Sequence, residues 1–171
     1  NKHIVYATAL DGFLIAFNAI DGTVLWERYL EEPLVSRDLY IKTVKNNYLI
    51  ITTNAGRIYK INAENGNIEW IKDFSYPIFT GATYLPTNHS ITFATENMKI
   101  FSLNLSNGEE LWELNTQDTI RMPGVFYNNK IFFLDKAPEL SMVNQSFQYM
   151  VDVFYHKFYL FPPLSGHLHL Q

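Results

Sequence analysis

No cysteine occurs among the 171 residues. Disulfides, thiolate metal sites and a thiol nucleophile are therefore excluded together, while the redox compartment is left open. Positive charge is also scarce. With 13 Lys and Arg against 17 Asp and Glu, the net charge is −4 and the pI near 5.7, so there is no basic field to hold nucleic acid or an anionic membrane surface. No apolar run reaches the 18 or more residues that a spanning helix requires, so the chain given contains no membrane span. The first residues, Asn1-Lys2-His3, pass directly into a strand pattern without a signal-peptide core, and any export signal or lipid anchor is expected upstream. There is no G-x-S-x-G elbow and no phosphate-binding glycine loop. Ala55-Gly56-Arg57 and Asn107-Gly108-Glu109 read as hairpin turns, which removes the usual hydrolase and nucleotide-binding signatures.

What the chain does contain is an apolar fraction of 47%, with 16% aromatic residues, enough for a packed core. It also repeats itself. The stretch Ile4 to Trp26, IVYATALDGFLIAFNAIDGTVLW, returns as Tyr48 to Trp70 and again as Ser90 to Trp112. In phase across the copies are Asn18, Asn62 and Asn104; Gly22, Gly66 and Gly108; and Trp26, Trp70 and Trp112, which are all three tryptophans of the chain. The spacing is 44 residues from Asn18 to Asn62 and 42 from Asn62 to Asn104. A period in this range marks stacked supersecondary units that cannot bury their faces alone.

Within a copy, two β-branched and aromatic runs flank a turn at Asp11-Gly12, and a second turn at Asp21-Gly22 precedes the run that ends in tryptophan, which predicts a three-stranded meander. The third copy has Met98 where Gly12 and Gly56 stand, and Asn97 is expected to take the left-handed turn position there. The segments Ser36 to Asn46 and Phe79 to Asn88 each leave room for one more strand. The full unit is therefore four-stranded, and four-stranded sheets repeated radially are propeller blades. In the first copy Phe13, Ile15 and Phe17 lie on one face and Leu14 and Ala16 on the other, as expected of a sheet sandwiched between neighbours. Arg57, Lys60, Lys99 and Ser102 make the later copies more amphipathic and are expected at blade rims.

The predicted fold is all-β: a β-propeller of four-stranded antiparallel blades, about four of them present, forming part of a larger propeller. The propeller segment is residues 1–161, with repeats at about 4–30, 36–73, 79–116 and 122–152. In the fourth unit Val125 to Tyr127 and Lys130 to Leu134 read as the first strands, but no tryptophan follows, and Tyr149 to Phe161 has room for one or two strands more. Residues 162–171 form an off-pattern tail.

The order strand, Asx-Gly, strand ending in Asn-Ala, then Asx-Gly before a Leu/Glu-Trp pair resembles the pyrroloquinoline-quinone-type propeller repeat. The linker EEPLVSRDLYIKTVKNNYLIITTNAGRIY is similar to the propeller lipoproteins of the bacterial outer-membrane β-barrel assembly machinery. The resemblance is good over about 4–113 and weak to 144. It implies that each tryptophan docks on the next blade. Ala19 and Ala63 match the pattern, whereas Leu105 departs from it, and looser docking is expected at the third blade. It further implies a non-catalytic, protein-binding scaffold at the periplasmic face of the outer membrane, with the barrel subunit as partner and clients joining by strand addition at blade edges. Arg37 and Tyr40 in the linker are the first surface probes. The alternatives from the same repeat are a fragment of a quinoprotein dehydrogenase and the luminal sensor propeller of a membrane kinase.

No catalytic, cofactor or metal residue is assigned. Asp11, Asp21 and Asn65 are claimed by turns, and Glu31-Glu32 and Glu109-Glu110 sit in or near turns as solvated charge. The one metal-compatible spacing, His167 and His169, lies in the tail without a carboxylate companion. The familiar quinone enzymes need calcium-ligating groups and an adjacent cysteine pair, and the lack of cysteine argues against that class.

Overall fold

A computed structural model describes residues 3–34, 39–43, 45–128, 130–134, 140–144, 151–153 and 156–160, with side chains as far as 133. The expectations placed on Arg37, His167, His169 and the tail 162–171 lie outside the described residues.

Every regular element is a strand. The first sheet holds β1 (Ile4–Thr8), β2 (Phe13–Asn18) and β3 (Val24–Tyr29), in that order. The second holds β4 (Leu39–Lys42), β5 (Asn47–Thr52), β6 (Arg57–Asn62) and β7 (Ile68–Asp73), and the third β8 (Thr83–Leu85), β9 (Ser90–Thr95), β10 (Lys99–Asn104) and β11 (Glu110–Asn115), again in chain order. All neighbours within these three sheets are antiparallel. The fourth sheet opens in the same way with β12 (Val125–Tyr127), β13 (Lys130–Leu134) and β14 (Leu140–Asn144), and then departs. Its next strand, β16 (His156–Leu160), lies parallel to β14, and β15 (Val151–Val153) pairs on the far side of β16. The inner strands β4, β8 and β12 lie beside one another, as blades around an axis require.

Between successive sheets lie three apolar clusters. Leu14, Leu30 and Leu34 of the first unit meet Leu49, Ile51, Tyr59 and Ile61 of the second. Ile41, Ile50 and Ile58 meet Ile91, Phe93, Phe101 and Leu103, and Ile100 meets Ile131 and Phe133. Strands β5, β6, β9 and β10 are buried on both faces because each sits between two such clusters. Strand β2 is not: Leu14 and Ala16 are fully buried, whereas Phe13, Ile15 and Phe17 are only half-buried. The expected sandwiching on both faces therefore holds for the second and third sheets, and in the first it holds on the side of the second sheet alone.

Three local expectations need correction. Met98, not Asn97, takes the left-handed backbone, with φ 60° against 94° and 91° at Gly12 and Gly56, while the Asn97 Oδ1 instead accepts from the Thr95 hydroxyl. Lys60 is not at a rim but only 3% exposed. It is buried on the face toward the third sheet, with its ammonium 2.9 Å from Glu69 and 3.8 Å from the centroid of the Tyr48 ring. That cation is tolerated because a carboxylate and an aromatic face replace its water. Ser102, at the equivalent position, is fully buried beside Thr92.

Candidate interaction surface and the docking of the blades

Each in-phase asparagine closes a turn on itself. Its Oδ1 accepts the N–H two residues on, from Ile20 at 3.0 Å, Glu64 at 2.9 Å and Ser106 at 2.8 Å. The chain then reverses through a left-handed glycine, φ 71° at Gly66 and 72° at Gly22 and Gly108. One residue before each tryptophan the register slips. Ala16 faces Trp26 but Phe17 faces Val24, so Leu25 is the extra residue of a β-bulge, and Glu69 and Leu111 repeat it. A bulge bends the strand and re-aims its side chain, which in this fold turns the indole toward the next sheet.

The Trp26 Nε1–H donates to the Ala63 carbonyl at 3.1 Å, and the Trp70 Nε1–H to the Leu105 carbonyl at the same distance. The indole also lies on the turn glycine of the next sheet. A Cβ on Gly66 would come within 2.6 Å of the Trp26 ring, and one on Gly108 within 3.1 Å of the Trp70 ring. The looser docking expected at the third blade shows in the ring contact, 3.1 Å at Gly108 against 2.6 Å at Gly66, but not in the hydrogen bond: Leu105 is fully buried and its carbonyl is held as closely as that of Ala63. A backbone acceptor is indifferent to the side chain that carries it. Trp112 packs into the apolar cluster between the third and fourth sheets. Gly22, at the first turn, has no atom within 4 Å of its Cβ position.

Beside the first docking site lies a polar group that corrects a further expectation: Glu32 is not solvated charge but only 8% exposed, because Tyr59 and Arg57 meet its carboxylate beneath the loop. Glu32, buried in a loop, accepts the Tyr59 hydroxyl at 2.5 Å on Oε1, with the Arg57 guanidinium at 3.5 Å, while its Oε2 is buried without a partner. Arg57 also reaches Asp73 at 3.4 Å, and the Ser75 N–H together with Arg57 holds that carboxyl below the usual carboxylate range. Burial, and then the bond to Glu32, pushes the Tyr59 hydroxyl up to about 12. These residues border a groove of about 250 Å³ lined by Tyr29, Leu30, Glu31, Arg57, Tyr59, Ile68 and Ile71. Only a comparison of the copies, which places Ile71 opposite Glu27 and Glu113, could have pointed to it.

On the inner side, Tyr40 is 47% exposed and stacks on Tyr6 at 5.8 Å. The Tyr6 hydroxyl donates to the same Ala63 carbonyl at 2.9 Å, and burial, then Tyr40 and Glu64, raises it to about 12.

The faces of Trp26 and Trp70 are spent on the glycines of the next sheets, and no group of three or more His, Asp or Glu with metal-holding geometry occurs among the described residues.

Sheets stacked side by side, the second and third of them four-stranded and antiparallel, with a tryptophan at each junction, define a partial β-propeller of the PQQ-like repeat class. The family model described as outer membrane protein assembly factor BamB matches residues 1–131, and the chain belongs to this family. An uncharacterised protein of Rickettsia prowazekii is 25% identical over 156 residues, covering 84% of this chain and 37% of the relative. The BamB of Shewanella oneidensis is 29% identical over 107 residues, 60% of this chain and 26% of that protein. The crystal structure of BamB from Moraxella catarrhalis superposes with a TM-score of 0.67 at 16% identity, over 84% of this chain and 47% of that one. Yeast Sqt1 gives 0.75 at 17%, over 84% and 43%. At such identities the structural likeness speaks for the fold alone. The chain spans less than half the length of each of these relatives.

Proposed function

We propose that the chain is a non-catalytic, protein-binding propeller segment of the BamB type, serving assembly of outer-membrane β-barrel proteins at the periplasmic face of the outer membrane. Its partner in this reading is the barrel subunit of the assembly machinery. The supporting observation is the division of labour among the residues. The in-phase Asn, Gly and Trp positions are occupied by turns and docking, while large apolar side chains such as Leu25, Tyr29 and Ile71 are left exposed on outer strands that end their sheets. Exposed apolar groups gathered on sheet edges fit recognition of another polypeptide. The repeat boundaries proposed are 4–30, 36–73, 79–116 and 122–152, within a larger propeller, and Tyr40 is the proposed inner-side contact, with Arg37 beside it in sequence.

The test is capture of the purified chain by the detergent-solubilised barrel subunit, followed by surface plasmon resonance. Saturable binding that weakens on Tyr40→Ala supports the reading, and no binding at tens of micromolar sinks it. In a parallel arm, pyrroloquinoline quinone is added with calcium. A saturable change in the quinone absorbance would favour the dehydrogenase reading.

A further inference from the structure

The copies diverge most usefully on the outer rim, at the junction of the first two sheets. Between the second and third sheets, Lys99 reaches across to Glu113 at 2.9 and 3.1 Å, and Phe74 fills the space behind them against Phe93 and Phe101. Between the first and second sheets the position of Glu113 is taken by Ile71 and that of Glu110 by Ile68. Arg57, the equivalent of Lys99, has no such carboxylate and turns to Glu32 and Asp73. The groove of about 250 Å³ is what remains, with Ile71 53% and Ile68 37% exposed along one wall. Strand β7, which carries both, ends its sheet and has no hydrogen-bonded neighbour on its outer side among the described residues. Three carboxylates, Glu31, Glu32 and Asp73, surround the single guanidinium. Glu31 is exposed on the groove lip and forms no ion pair among the described residues, and Glu32 Oε2 lacks a donor. The surplus is negative.

We propose that this groove takes an extended segment of another polypeptide whose groove-facing residues, every second one along the strand, are two apolar side chains followed by a basic one, added along the free edge of β7 as a fifth strand. The backbone edge supplies ladder hydrogen bonds, Ile68 and Ile71 receive the apolar side chains, and Glu31 receives a basic one. The inference rests on the protein-binding reading and names its site and the chemistry of the occupant.

The probe is a blocked hexapeptide Val-Ser-Val-Ser-Lys-Ser, which puts two valines and the lysine on one face, with Val-Ser-Val-Ser-Glu-Ser as control, titrated into the 15N-labelled full chain. Expected are amide shifts at Glu31, Arg57 and Ile71, slowed hydrogen exchange along β7, and binding of the lysine peptide at least tenfold tighter than that of the glutamate peptide. Ile71→Glu, which offers Arg57 the partner that Lys99 has in Glu113, should weaken the lysine peptide at least tenfold while leaving the spectrum folded. Glu31→Lys should shift preference toward the glutamate peptide. Equal binding of the two peptides, binding unaltered by Ile71→Glu, or no binding of either overturns the proposal. The wild-type chain is run in parallel on the immobilised barrel subunit. Capture there with no peptide binding overturns the groove alone, whereas no capture overturns the protein-binding reading itself.

Discussion

The three turn glycines form a graded experiment on blade docking. Gly22, Gly66 and Gly108 share a left-handed backbone, φ 71° to 72°, so an alanine at any of them carries the same conformational cost, roughly 1–2 kcal/mol. They differ in what the new methyl meets. At Gly22 nothing lies within 4 Å, at Gly108 the nearest Trp70 atom is at 3.1 Å, and at Gly66 three atoms of Trp26 lie between 2.6 and 3.1 Å. The Trp26 indole is tied by its Nε1–H to Ala63 and flanked by Tyr6 at 5.9 Å, so it cannot retreat without losing contacts. Overpacking of this kind adds about 1–3 kcal/mol. Gly22→Ala should therefore cost about 1–2 kcal/mol and Gly66→Ala about 2–5, with Gly108→Ala between them. Urea unfolding followed by tryptophan emission reads the series as midpoints. Gly66→Ala should also red-shift the native emission as the indole is displaced. If the three variants unfold at the same midpoint, the indole does not rest on the turn and the docking account fails.

Trp70→Ala should destabilise by about 3–5 kcal/mol as a large-to-small loss, and Trp70→Phe by less, about 1 kcal/mol of it being the lost bond to the Leu105 carbonyl; a loss below about 1 kcal/mol for the alanine variant would contradict the packing. Tyr6 and Tyr59 both titrate in the native protein near 12 rather than 10, so the neutral form is favoured by folding. Their contribution is complete below pH 10 and is lost as pH rises through about 12. Urea midpoints measured from pH 9 upward should fall across that window, and fall less steeply in Tyr59→Phe. Met98→Gly should stabilise by about 0.5–1 kcal/mol, because relief of roughly 1–2 kcal/mol of left-handed strain exceeds glycine's extra unfolded entropy; a lower thermal midpoint than wild type would refute this.

The architecture could be read from the chain because a repeat exposes each structural requirement three times. One Asn-x-x-x-Gly-x-x-x-Trp spacing is a weak pattern, but three in phase identify turn, reversal and docking residue. What could not be read follows from neighbours that the linear pattern does not contain. Intrinsic preference alone favours Asn97 for the left-handed position. The hairpin register instead assigns that position to Met98, because it aligns with Gly12 and Gly56. Lysine is seldom buried, which points Lys60 to a rim, yet its partner Glu69 lies on the neighbouring strand and is the extra residue of a bulge. Leu105 departs from Ala19 and Ala63 only in its side chain, whereas the indole's hydrogen bond goes to the carbonyl.

The same reasoning explains why the candidate site was the least visible part. In a stacked array, stability is close to a sum over units and their nearest-neighbour interfaces. Positions such as Leu49, Ile51 and Ile61, or Ile91, Phe93 and Leu103, stay apolar because each faces a neighbouring sheet. The outer rim is free of that demand. At one rim position the three copies carry Glu27, Ile71 and Glu113, with Phe13, Arg57 and Lys99 across the hairpin, and only the last closes an ion pair, at 2.9 Å. Since an exposed ion pair there is worth little, about 0–1 kcal/mol, exchanging it for isoleucine costs the fold almost nothing and opens an apolar groove beside an unpaired strand edge. A change that folding does not resist is one that recognition can use. The residue that departs from its counterparts without structural compensation, Ile71, is accordingly where the case for a binding site on this chain is strongest.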